Sequence, residues 1–157
     1  MSGRRLSVVL LLVIAGLAVF AASARVEASS TGSDEPGPLI LSTVVGSDFE
    51  ATIDRVKRAL KVHQFRPIRE RSGTHQGHRY HDIYFCNFAM LPDVVAHDAR
   101  LGSFMPCRMT VRETSEGVRV SATNPARLAQ MAGVEGASKL CDSVSESYEA
   151  VLWEVSL

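Results

Sequence analysis

Cysteine is scarce in this chain, three residues in 157, and no two of them form a Cys-x-x-Cys pair, so a thioredoxin-type redox motif is absent. The Cys and His spacings match no zinc finger. No Gly-x-Ser-x-Gly occurs, which removes the usual setting of a hydrolase serine nucleophile. An excess of one charge is missing too: 17 basic residues balance 17 acidic ones. A nucleic-acid surface would need a clustered basic face. Long apolar runs are confined to Val8–Phe20, shorter than the roughly 18–20 residues that span a bilayer as a helix.

That run has a specific setting. Arg4 and Arg5 precede it and the small residues Ala22-Ser23-Ala24 follow, which is the order of a secretory signal peptide. Cleavage is expected after Ala24 or after Ala28, making residues 1–24 the signal and placing the mature protein in the periplasm or outside the cell. Contact with a membrane would then end with cleavage. The twin arginines are followed by Leu6-Ser7, a poor match to the twin-arginine signal, so the general secretory route is expected. Removal of Arg4 and Arg5 leaves 15 basic against 17 acidic residues, a charge of −2.

Residues 25–38 are rich in Ser, Gly, Pro and acids with little to bury, and read as a disordered leader. The remainder, 39–157, has the size of a single domain. The β-branched run after Leu39 predicts a strand ending at Gly46. Ser47 and Glu50 have capping-box spacing at a helix start. Phe49, Ile53, Val56, Leu60 and His63 then recur at helical intervals, predicting one apolar face that packs on a sheet. Arg55, Lys57, Arg58, Lys61, Arg66, Arg69 and Arg71 read as the solvated side and C-terminal end of that helix.

A weak strand is expected over Ile68–Arg71, then a polar turn around Gly73–Gly77 and a stronger strand over Tyr80–Phe85. Pro92 suits the first turn of a short helix running to Ala99. Met109–Glu113 and Val118–Ala122 alternate around Ser115-Glu116-Gly117, a hairpin. Asn124-Pro125 opens another short helix, and Leu140, Val144, Tyr148, Val151 and Val155 mark one side of a long last one. The order β-α-β-β-α-β-β-α-α predicts an α+β domain, a mixed or antiparallel sheet of about five strands with helices on one face.

Tyr80-x-x-Ile83, Cys86-Asn87, Asp98-x-x-x-Gly102 and Pro106-Cys107 with the hairpin after it resemble the bacterial and archaeal domain of unknown function 302 family, over roughly Leu39–Val155. The resemblance implies a compact α+β domain and, for some members, a homodimer; it implies no established activity. The chain departs from the pattern at Phe88, where the family has proline, and at Gln64-Phe65, where glycine precedes the aromatic.

Chemistry is sought where reactive side chains gather. Cys86 ends one strand and Cys107 begins another, so the two could share one end of the sheet and bridge if their Cα atoms lie within about 7 Å; an exported protein permits that disulfide. The alternative is buried free thiols acting as small apolar residues, and the resemblance argues against an obligatory bridge. Cys141 is expected beneath the last helix. His75-x-x-His78-x-x-His81 offers imidazoles for zinc or copper, against which a strand would turn His78 and His81 to opposite faces. Cys86, Cys107, Met90 and Met105 form a softer set suited to Cu(I). His97-Asp98 is an adjacent pair at a helix end. The reading is a non-catalytic binding module for a small ligand or a protein, with no nucleic-acid role. Its site comprises Cys86, Asn87, Pro106 and Cys107: Asn87 braces a turn, Pro106 fixes the start of a strand and the cysteines supply soft ligands or a bridge. The competing readings are a thiol-dependent redox enzyme and a copper or zinc protein.

Overall fold

The computed structural model describes residues 37–134, 136 and 138–157. The signal segment and residues 25–36 of the leader lie outside the described residues. Among the described residues five strands alternate with four helices and one 3-10 turn: β1 (Ile40–Val45), α1 (Phe49–Val62), β2 (Arg66–His75), β3 (His78–Cys86), α2 (Leu91–His97), the 3-10 segment Ala99–Phe104, β4 (Cys107–Thr114), β5 (Gly117–Thr123), α3 (Pro125–Met131) and α4 (Ser138–Ser156). All neighbouring strands run antiparallel in the order β1-β5-β4-β3-β2. The α+β class and helix order expected from the sequence are those observed.

Alternation along the strands sends Leu41, Val45, Ile83, Phe85, Met109, Val111, Val118, Val120 and Ala122 into one buried layer. Onto it α1 delivers Phe49, Ile53, Val56 and Leu60, and α4 delivers Tyr148, Val151, Leu152 and Val155. Phe65, Phe85 and Tyr148 meet edge to face with centroids 5.2–5.6 Å apart, a favoured aromatic geometry.

The cap of α1 differs from expectation. Asp48, one residue after Ser47, accepts from the amides of Glu50 and Ala51 at 2.9 and 3.2 Å, while Ser47 Oγ instead meets Thr52 Oγ1 at 2.8 Å. A carboxylate satisfies two free helix donors and suits the positive end of the helix dipole. The basic cluster divides between two elements: Arg55, Lys57, Arg58 and Lys61 are on α1, whereas Arg66, Arg69 and Arg71 are on β2, joined by the Lys57–Glu70 ion pair at 3.0 Å.

β2 is longer than its weak apolar pattern predicts, and the turn is only Gln76-Gly77. Both turn residues have positive φ, 54° and 79°, the primed geometry that matches strand twist. The strand is exposed along most of its length, so pairing with β3 holds it where burial does not. Gly73 leaves room there for the Tyr80 ring folded over it, whose hydroxyl would stand 2.6 Å from an added Cβ.

The other sheet face carries Arg69, Arg71, Tyr80, Asp82, Tyr84, Arg108, Arg112 and Arg119 by register. Arg69 and Arg71 lie over the Tyr84 and Tyr80 rings at 5.3 and 5.5 Å. Asp82, only 3% exposed, accepts from Thr110 Oγ1 at 2.7 Å and has Arg71 at 3.5 Å.

Candidate functional site

The ends of β3 and β4 that carry Tyr84 and Cys107 lie beside a second, smaller apolar cluster, in which Leu101, Ala129, Val134 and Cys141 are buried. Between this cluster and the main core is a cavity of about 330 Å³, at the small end of the roughly 300–1,000 Å³ range of ligand pockets. Phe65 and Tyr148 border it from the core side, Val94, Leu101 and Phe104 from α2 and the 3-10 turn, Leu128 from α3, and Leu140 and Val144 from α4. These elements meet there for local reasons. Pro92 starts α2 inside its first turn, Asp98 accepts from the Arg100 amide at 2.8 Å and grips its guanidinium at 2.6 Å, and Asn124 caps α3 through the amides of Ala126 and Arg127 at 3.0 and 3.4 Å.

Asn87 braces the turn as expected: its Oδ1 accepts from the Ala89 and Met90 amides at 3.1 and 3.3 Å, and this holds with Phe88 where the resemblance has proline. Pro106, joined to Met105 by a cis peptide bond, directly precedes β4. Asn87, Pro106 and Cys107 all border the cavity.

Cys86 does not border it. Cys107 pairs with Phe85 across β3 and β4, while Cys86, one residue on, pairs with Arg66. Side chains one step apart on a strand point to opposite faces, so the two cysteines occupy neighbouring positions at one end of the sheet with side chains leaving opposite faces. All three cysteines are free, and the disulfide considered for Cys86 and Cys107 is not formed. The two remain close enough that charge on Cys86 would oppose ionisation of Cys107.

Burial pushes the Cys107 thiol up, only partly countered by the neighbouring Tyr148 hydroxyl. Desolvation also raises Cys86, and raises Cys141 with Asp142 beside it adding to the effect. The Cys107 thiol is directed at Met105 Sδ, 3.6 Å away. Tyr148 is 1% exposed; its hydroxyl neighbours the Cys107 thiol but makes no hydrogen bond of full geometry among the described residues, and burial drives its pKa upward.

The histidines are not assembled. His75 and His78 face each other across the hairpin end, while His81 is engaged by Ser72 Oγ at 2.7 Å and Glu70 Oε2 at 2.9 Å. Among the described residues no group of three or more His, Cys, Asp or Glu side chains is placed to hold a metal, because strand alternation parts His78 from His81. His97-Asp98 resolves into a helix end and the cap of the next turn.

Sequence reasoning missed most of the cavity. Phe65, Tyr84, Leu101, Phe104, Arg108 and Leu128 carry no pattern that separates a pocket wall from core or surface. The one available signal was an apolar content in Leu91–Phe104 greater than two short helical turns can bury themselves.

The architecture is thus a five-stranded antiparallel sheet with α1 and α4 on one face and a cavity at one end of β3 and β4. The chain belongs to the family described as Domain of unknown function DUF302, which matches residues 41–155. A crystal structure of an uncharacterized conserved DUF302 protein from Bacillus stearothermophilus is similar in fold, with a TM-score of 0.71 at 17% identity, covering 76% of this chain and 99% of that one. No curated protein matches the chain.

Proposed function

We propose that the protein is an exported, non-catalytic binding module that takes a small, mainly apolar ligand into the cavity beside Cys107. The cavity itself carries this reading: about 330 Å³ bounded almost wholly by aliphatic, aromatic and sulfur-bearing side chains. An apolar body entering it gains roughly 25 cal/mol for each Å² removed from water. The raised pKa values of all three thiols favour binding over thiol chemistry, since the thiolate is the nucleophile and is sparse at neutral pH in such surroundings. Export rests on the signal-like order of residues 1–24 and is tested by finding the shortened chain in the periplasmic fraction.

The neutral fluorescent probe N-phenyl-1-naphthylamine tests the cavity. Binding to the mature protein is expected to fall at least roughly tenfold in Val94→Trp, which fills the space from α2, a helix with no fully buried residue; Cys107→Ser is expected to leave it nearly unchanged. Equal probe binding by the filled variant would sink the proposal. A soft-metal reading keeps one supporting contact, Cys107 Sγ to Met105 Sδ at 3.6 Å, with Met90 on the same cavity. Copper carried through purification and lost in Met105→Leu would replace the apolar ligand with the metal.

A further inference from the structure

The sheet face turned away from α1 and α4 gathers charge that the balanced composition conceals. Strand alternation brings Arg69, Arg71, Arg108, Arg112 and Arg119 onto it from β2, β4 and β5. Two acids answer them. Asp82 is 3% exposed and lies 3.5 Å from Arg71 and 4.0 Å from Arg108, and Glu116, in the β4–β5 turn, holds Arg119 at 3.0 Å. Arg69 and Arg112 have no ion pair among the described residues, and Arg112 stands directly opposite Arg119 in register. Like charges facing across strands weaken a sheet, a cost that an anion outside the face relieves. Elsewhere the sign reverses: α4 carries Asp142, Glu146, Glu149 and Glu154 against Lys139 alone.

We propose that this face docks on an anionic phospholipid surface, its guanidiniums taking lipid phosphates while Ile40 and Val44 enter the headgroup layer. The inference stands apart from the cavity reading. Guanidinium donors fit phosphate oxygens in pairs, and each cation held near an anionic bilayer adds to the attraction. Ile40 and Val44 are 51% and 39% exposed on the edge strand β1, facing the same way as their partners Thr123 and Arg119. A surface with an apolar layer beneath its charges covers such residues, whereas a soluble polyanion uses the arginines and leaves both aliphatic side chains in water. Single-stranded nucleic acid stacks its bases on open aromatic faces, and the two tyrosine rings of this face already carry guanidiniums, Tyr84 that of Arg69 and Tyr80 that of Arg71.

Cosedimentation of the mature protein with vesicles tests the docking. Binding is expected to vesicles that mix phosphatidylglycerol with phosphatidylcholine, to be absent with phosphatidylcholine alone, and to be lost at high salt as the charges are screened. Arg112→Gln combined with Arg119→Gln is expected to bind at least roughly tenfold more weakly. That pair leaves the contacts to Asp82 in place and removes a like-charge contact, so the variant folds, which circular dichroism checks. Arg55→Gln combined with Arg58→Gln takes the same charge from α1 and is expected to change binding little. Ile40→Ser combined with Val44→Ser is expected to weaken vesicle binding and to leave heparin binding unchanged. Equal binding to both kinds of vesicle, binding to neither, or equal losses from the two arginine pairs overturns the proposal. Heparin or single-stranded DNA held more tightly than the anionic vesicles, with the Ile40/Val44 variant unaffected, overturns it in favour of a soluble polyanion.

Discussion

Gln64 has a φ of +62° directly after α1, in the left-handed region where a side chain costs about 1–2 kcal/mol and glycine costs little. The position is the one at which the resemblance has glycine before an aromatic, so the departure read in the sequence is a departure in backbone cost. Phe65 follows at once and is 3% exposed in the aromatic trio, which explains why the chain keeps the turn despite the side chain. Gln64→Gly is expected to stabilise the protein by about 0.5–1 kcal/mol, the relief being partly offset by the freedom glycine adds to the unfolded chain. Urea denaturation checks this, with Gln64→Ala as the control that gives no comparable gain.

Among elements, α3 is the one most dependent on a single side chain. Asn124 is 3% exposed; its Oδ1 accepts from the first amides of α3 and from Ser145 Oγ of α4 at 2.8 Å, and its Nδ2 donates to the Pro38 carbonyl at 3.1 Å. One amide thus joins the chain before β1, the start of α3 and the middle of α4. Asn124→Ala is expected to cost about 2–3 kcal/mol, a lost cap plus buried polar groups left without partners. The loss is checked by thermal unfolding. Because α3 supplies Leu128 to the cavity wall, probe binding should weaken alongside it. The Asn-Pro start of α3 was legible in the sequence; the reach of the same amide to Pro38 and Ser145 was not, because both partners are far along the chain.

At the scale of the whole molecule, ionisation of the buried thiols links stability to alkaline pH. Cys86, Cys107 and Cys141 all titrate above the ordinary thiol value of 9.0, so the folded state holds these protons more tightly than the unfolded one. Their stabilising effect is full below pH 9.0 and is lost as pH rises through the folded values. Under reducing conditions, the urea midpoint is expected to fall between pH 8 and 10.5, and to fall less steeply in Cys107→Ala. An equal slope in that variant would show that the Cys107 thiol is not the group that senses pH.

Local and periodic features were legible from the order of residues alone. Helical spacing placed the inward faces of α1 and α4, alternation identified the β4–β5 hairpin, and Asn87 and Pro106 announced their turns, since each depends on residues a few positions apart. The full length of β2 was hidden because its polar residues are held by pairing with β3 and not by burial. Tertiary structure alone decided the register that set Cys107 opposite Phe85 and turned Cys86 to the other side, a difference of one residue that no composition reveals. It also decided that Phe65, Arg108, Leu128 and Val144, spread over some eighty positions, border one space. A cavity is defined by what surrounds it, and its walls come together only when distant elements pack.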